Sequence, residues 1–331
     1  MEITVASCVR PERATPRIPT AQALGVDQLA ESITGWEQVY DQISPGRFSG
    51  HLTEVLLGPA QIFVETSSHA LVQQCRTWDD AVWFGIPVQP ERVCRVEGIA
   101  IEADMLAVRH GGSDFQLTTP DRFGFLGIVV KTPVLRQYLE AEGAADIEAK
   151  LFQERALRTA RGCLDRLRDK LNATLQGDML PAHGFTTQMR AELLDETVTD
   201  LVQVLAGRAA PAREGVCAQH ARNILRRSRD YLIAHSEQCV SVQQLCDELG
   251  SSRRALQDCF RKHLGVTPKH YLRAFGLNAA RRELRRRDSD CATVSDVATR
   301  YGFWHLSQFA VDYRRLFGEL PSETLRRRHA A

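Results

Sequence analysis

No run in the 331-residue chain approaches the ~18 consecutive apolar residues that a membrane-spanning helix needs. The first twenty residues carry Arg10, Arg13 and Arg17 among three prolines, without the apolar core of a secretion signal. The chain also lacks C-x-x-C pairs and Cys/His groups at zinc spacing. Its nine cysteines, an odd and scattered set, read as reduced, buried small apolar residues. Neither phosphate-loop pattern, G-x-x-x-x-G-K-[ST] or G-x-G-x-x-G, occurs. These absences point away from membrane, disulfide-scaffold and nucleotide-loop proteins. A cytoplasmic protein with no membrane partner is the expectation.

What is present is an ordinary globular mixture, 44% hydrophobic and 25% charged, long enough for two or three domains. The net charge of +1 hides a division. Residues 1–220 hold 21 Lys+Arg against 29 Asp+Glu, a net −8, and residues 221–331 hold 21 against 12, a net +9. Only the C-terminal third has the balance suited to a polyanion.

The chain divides into a flexible tail over 1–26, a sensor domain over 27–206, a linker over 207–218 and a basic domain over 219–331. Gln28 to Gln42 reads as a helix with Leu29, Ile33, Trp36 and Val39 near one face. From Leu52 to Lys131 short apolar runs read as strands, namely 55–57, 61–64, 70–73, 82–88, 105–108, 115–118 and 123–130. Gly58-Pro59, Gly111-Gly112 and Pro120-Asp121 separate some of them as turns. Strands without intervening helices predict an antiparallel barrel or sandwich, the barrel being preferred. Thr132-Pro133 reads as a helix start, with Thr as the cap. Leu157, Leu164, Leu167, Leu171 and Leu175 then form a helical stripe, and Met189, Leu193, Val198, Leu201 and Leu205 a second. Such a pair either covers the barrel or pairs with a second copy.

The C-terminal third contains an internal repeat. Val242, Leu245, Cys246 and Leu249 precede Gly250, and Leu256, Phe260 and Leu264 precede Gly265 and Pro268. Val294, Val297, Ala298 and Tyr301 precede Gly302, and Phe309, Tyr313 and Phe317 precede Gly318 and Pro321. Gly250 to Gly302 is 52 residues, whereas Gly265 to Gly318 and Pro268 to Pro321 are both 53, so the second turn carries one extra residue. Each copy reads as two crossed helices joined by a tight turn, and Lys269 to Arg287 reads as a helix linking them. That linker would span ~28 Å at ~1.5 Å per residue, close to the ~34 Å between successive major-groove faces.

The motif from Val242 to Leu325 resembles the AraC/XylS family of bacterial transcription regulators. The residues that carry it are Leu256-x-x-x-Phe260, Gly265-Val266-Thr267-Pro268-x-x-Tyr271, Leu277-x-x-Ala280-Arg281, Tyr301-Gly302-Phe303 and Tyr313-x-x-x-Phe317-Gly318-x-x-Pro321. The resemblance implies an α+β protein. A cupin-like antiparallel β-barrel sensor with a helical dimerisation segment would precede an all-α double helix-turn-helix domain. It also implies promoter DNA and RNA polymerase as partners and an activating role. The leucine stripe from Leu157 to Leu175, lying between sensor and basic domain, predicts a homodimer built by the N-terminal two-thirds. Gly276 stands where the family commonly has Arg, and glycine's poor helix propensity (~1 kcal/mol against Ala) predicts a bend or fray there. Segments such as Ile33–Gln42, Trp83-Phe84-Gly85-Ile86-Pro87 and Gly302–Leu306 further resemble regulators of ethanolamine-utilisation operons of enteric bacteria. That narrower resemblance implies ethanolamine as effector and adenosylcobalamin as cofactor. Related regulators of the same architecture control virulence, quorum sensing or other catabolic genes.

With the apolar residues of each second helix turned inward, Ser252, Arg253, Arg254 and Gln257 are the expected base-contacting residues of the first module. His305, Leu306, Ser307 and Gln308 are their counterparts in the second. Arg suits guanine and Gln suits adenine through paired hydrogen bonds. Lys269, Arg281 and Arg314 are candidate phosphate contacts, and the runs 285–287 and 326–328 are either solvated helix ends or further ones. A rival reading, a barrel enzyme with an appended DNA-binding module, needs a nucleophile or metal set, and His51, His69 and His110 stand at no such spacing. No catalytic residue and no metal ligand is therefore expected.

Overall fold

The computed structural model describes residues 20–151, 154–160, 162–176, 186–207, 216–286 and 293–330. In chain order the N-terminal part runs β1 (Thr20–Ala23), α1 (Val26–Ala30), β2 (Glu37–Gln42), β3 (Gly50–Leu56), β4 (Ala60–Ser67), β5 (Leu71–Arg76) and β6 (Ala81–Pro87). It continues through β7 (Cys94–Val96), β8 (Ile99–Ile101), β9 (Met105–His110), β10 (Phe115–Thr119) and β11 (Phe123–Lys131). Then come α2 (Thr132–Ala141), α3 (Asp146–Leu151), β12 (Ala156–Arg158), α4 (Cys163–Gln176) and α5 (Thr187–Ala206).

The strands form two antiparallel sheets. The larger is ordered β1-β3-β4-β11-β6-β9-β12 and the smaller β2-β5-β10-β7-β8. The expected barrel is corrected: the sheets do not close on one another, and each keeps two edges. The reason lies in the central strands of the larger sheet, which are apolar on both faces. Phe63, Trp83, Phe125 and Val129 face the smaller sheet and share a core with its Tyr40, Leu71 and Phe115. Their neighbours Ile62, Phe84, Ile86, Leu126 and Ile128 face the helices. A sheet with two apolar faces is covered on both sides, here as three layers.

The leucine stripe supplies the outer layer. Leu164, Leu167, Leu171 and Leu175 of α4 are buried in one core with Leu193, Val198, Leu201 and Leu205 of α5. Leu157 belongs to β12 instead. The stripe therefore covers the sheet, and its leucines are not available to a second copy.

Other local expectations shift as well. Residues 20–23 of the expected tail pair with β3, while residues 1–19 lie outside the described residues. The helix expected over Gln28–Gln42 is only α1, because Gly35 turns the chain at φ +74° and β2 comes next, with Val39 exposed. Thr132 opens α2 rather than capping it. A short hairpin, β7–β8, turns through Glu97 and Gly98, both at positive φ.

The C-terminal part is all helical: α6 (Val216–Ala234), α7 (Val242–Leu249), α8 (Arg253–Leu264), α9 (Pro268–Arg285), α10 (Val294–Arg300), α11 (Leu306–Phe317) and α12 (Pro321–Ala330). The linker expected over 207–218 spans Gly207, the cap of α5, residues 208–215 outside the described set, and the first turn of α6. Glycines at αL geometry end the helices where the repeat places them, Gly250 after α7, Gly265 after α8 and Gly318 after α11. Side chains start them: Ser241 forms a capping box with Gln244, Thr293 another with Asp296, and Ser252 and Thr267 cap α8 and α9. Leu245, Leu256, Phe260, Leu277, Val297, Phe309 and Tyr313 join in one core.

The N-terminal domain docks on α9 through the edge strand β2. Asn278 accepts from the Gln42 backbone N–H at 3.1 Å and donates to its carbonyl at 2.9 Å, standing in for a neighbouring strand. Arg282 donates to Asp41 at 2.7 Å, Arg285 to Asp27 at 3.0 Å, and His270 to the Ile43 carbonyl at 2.7 Å. The Gln42 side chain donates to the Leu316 carbonyl at 2.7 Å, so the second module is held too. On the first module, His263 donates to the Gly98 carbonyl at 3.2 Å and Arg229 pairs with Gln74.

Candidate nucleic-acid interface

The N-terminal ends of α8 and α11 open onto one groove of about 760 Å³. Arg253 and Gln257 line it from the first module, and His305 and Gln308 from the second. Lys269, Leu272, Arg273 and Gly276 of α9 form its floor. The linker helix thus places both recognition helices on one concave surface. Its 18 residues span ~27 Å, the right order for successive major-groove faces.

Gly276 is where the floor departs from expectation. The helix runs unbroken through it from Pro268 to Arg285, without fraying there. A Cβ at this position would stand 3.3 Å from the Phe303 ring, so the missing side chain lets that ring approach α9 closely. Phe303 in turn packs on Phe309 at 5.0 Å between centroids, which braces the second turn. Arg273 pairs with Asp312 and ties the floor to α11.

The expected base-contacting residues fall into three groups. Arg253 and Arg254 are exposed on the first turn of α8, with Gln257 one turn on. Ser252 is occupied as the cap, its hydroxyl accepting from Ala255 N–H at 3.2 Å. In the second module His305, Leu306, Ser307 and Gln308 are exposed, and Gln308 is steadied by a 3.1 Å bond to Asp312. His305 sits at the cap position of α11 without a side-chain capping bond.

Among the phosphate candidates, Lys269 and Arg314 are exposed. Arg281 is corrected: it is 5% exposed, donates to Glu319 at 3.2 Å, and lies with its guanidinium 4.7 Å from the Phe317 ring centre. It holds the second module together from within. Arg285, Arg286 and Arg327 likewise pair with Asp27, Glu283 and Glu319 rather than standing as free helix ends. Arg287 lies outside the described residues.

Sequence reasoning missed Trp304, 73% exposed at the groove's lip. The repeat held the signal. The caps Ser252 and His305 align, so Leu306 takes the place of Arg253 and Val311 that of Asp258. Leu306 and Val311 are 45% and 61% exposed, so this module shows apolar side chains where the first shows charge.

In the N-terminal domain a polar group is buried between the sheets. Burial pushes the Glu65 carboxyl up to about 7, although Tyr40 and Gln73 donate to it at 2.7 and 3.0 Å. Among the described residues no three His, Cys, Asp or Glu side chains gather as a metal set. His110 is held by the Leu151 carbonyl at 3.0 Å and His69 by the Ser68 hydroxyl at 2.7 Å. No helix among the described residues is long and apolar enough to cross a membrane.

The helical third is similar in sequence to known proteins. A family model described as a helix-turn-helix domain matches residues 245–327. A probable thc operon regulatory protein of Rhodococcus erythropolis is 41% identical over 103 residues, 31% of each chain. A XylDLEGF operon transcriptional activator of Pseudomonas putida is 42% identical over 92 residues, 28% of each chain. The chain thus matches under a third of the length of these curated relatives. A solved structure of a probable AraC family transcriptional regulator from Rhodopseudomonas palustris is 32% identical and covers 32% of this chain and 97% of its own, at a TM-score of 0.30. Residues 245–327 thus match the helix-turn-helix domain family model, the same stretch that carries the AraC/XylS resemblance between Val242 and Leu325.

Proposed function

We propose that the chain is a sequence-specific DNA-binding transcriptional regulator, acting as an activator. Its two helix-turn-helix modules grip one side of a promoter duplex while the N-terminal domain holds them in place. The observation that carries this reading is the shared groove, which brings Arg253, Gln257, His305 and Gln308 onto one concave surface above Lys269. The +9 charge of residues 221–331 supports it. The activating role, with RNA polymerase as the protein partner, rests on the names of the relatives, which include operon activators.

The regulated pathway is proposed on sequence alone. The ethanolamine reading keeps only the segments that resemble those regulators, and the chain has no D-x-H-x-x-G motif of base-off cobalamin enzymes. A homodimer remains part of the proposal with its interface outside the α4 leucines, and light scattering of the full chain reads it directly.

Genome-wide mapping of bound sites with the full chain tests the main reading. The expected result is a small set of promoters. Affinity for the recovered duplex should fall with salt, with a log–log slope of about −0.9 per neutralised phosphate. Binding without sequence preference, or with salt-independent affinity, overturns it.

A further inference from the structure

A second cleft, of about 570 Å³, opens where the two domains meet. Arg47 lines it from the N-terminal domain, Arg281 and Arg285 from α9, and Arg327 and Arg328 from α12, with Glu319 pairing Arg281 and Arg327, and Asp27 pairing Arg285. Arg281 is the informative residue. Of its three guanidinium nitrogens only Nη2 has a partner, Glu319; Nε and Nη1 are buried without any among the described residues. A buried cationic fork left half unpaired costs free energy that a bound anion would recover. Gly25 permits the arrangement, since a Cβ there would stand 3.1 Å from Arg285 Nη1 and 3.2 Å from Arg281 Nη2.

DNA is not the anion this cleft faces. At ~100° per residue, Arg281 and Arg285 are turned ~140–180° around α9 from Gly276, which floors the groove. A duplex seated in the groove meets the opposite side of the helix. We propose that this junction cleft binds a small multivalent organic anion, carrying carboxylate or phosphate groups, which bridges Arg47 of one domain to Arg281 and Arg285 of the other. The occupant would add a cross-link to the contacts already made by Asn278 and Arg282.

The test is calorimetric titration of the full chain without DNA, so its outcome is independent of the proposed regulatory function. The probes are citrate and inorganic pyrophosphate, at constant ionic strength set with sodium chloride. Saturable binding of at least one probe, with Kd below about 1 mM, is expected. Citrate alone assigns carboxylate chemistry, pyrophosphate alone phosphate. Arg47→Gln and Arg285→Gln should each weaken binding by about tenfold. Arg281→Lys, which keeps the charge but loses the fork, should weaken it as well. Arg47 is exposed, so its variant should melt as the wild type does without anion, which separates lost binding from lost structure. Titrations in which neither probe saturates, or in which all three variants bind like the wild type, overturn the proposal.

Discussion

The apolar residues of the second module lead to a prediction about which base feature it reads. Leu306 stands at the start of α11 where the first module has Arg253, and it is 45% exposed in the free protein. An arginine there would seek guanine; a leucine has only the thymine methyl to meet in the major groove. Fully burying a leucine is worth ~1.5–3 kcal/mol, so covering its exposed half against DNA is worth about 1 kcal/mol. Leu306→Ala should therefore weaken binding about fivefold. Replacing the contacted thymine with uracil removes one methyl, worth ~0.8 kcal/mol, about fourfold in affinity. The assay is a double-mutant cycle by fluorescence anisotropy, with each thymine of the second half-site replaced in turn. At one position the uracil penalty should be about fourfold in the wild type and under about twofold in Leu306→Ala. If the penalty is the same in both proteins at every position, Leu306 does not read a methyl and the reasoning fails.

Other contacts set further expected outcomes. Arg254→Ala should cost ~1–3 kcal/mol and relax specificity at one position of the first half-site, checked by binding-site selection; an equal loss on every sequence would make Arg254 a phosphate contact. Glu65 is protonated in the fold up to about pH 7, above the 4.5 of a free carboxyl, so its own contribution to stability is most favourable below 4.5 and is lost as pH rises to about 7. The loss approaches roughly 3 kcal/mol and should vanish from melting profiles of Glu65→Gln, which keeps a partner for Tyr40. Asn278→Ala strips the Gln42 backbone of both its bonds and should cost about 2 kcal/mol in denaturant titrations. Leu164→Asp buries a carboxylate under the sheet and should cost more than about 4 kcal/mol, giving unfolded chain in circular dichroism rather than a folded monomer.

The helical third was legible because its signals are local. Gly250, Gly265 and Gly318 sit at αL geometry where a short repeat needs them, and Ser252 and Thr267 cap α8 and α9 directly after the turns. The central strands were legible as strands, and the all-buried Ala81–Pro87 already carried the mark of a sheet covered on both sides. Three-residue strands such as Cys94–Val96 are too short to show alternation. Domain docking could not be read at all, because the Gln42–Asn278 pair joins residues 236 apart with no local pattern linking them. Arg281 shows the same limit. Its composition suggests a phosphate contact, and only its neighbour Glu319, brought near by the second module's fold, turns it inward.

Because α9 carries the groove on one face and the docked edge strand on the other, its surface serves two unrelated demands. Saturation mutagenesis along Pro268–Arg285, scored separately for operator binding and for cohesion of the two domains, should give two sensitivity waves. Each would repeat about every 3.6 residues, and the two would run out of step. Lys269 and Arg273 would crest in the first, and Asn278, Arg282 and Arg285 in the second. Relatives could then exchange promoters by altering one wave while the other keeps the domains joined.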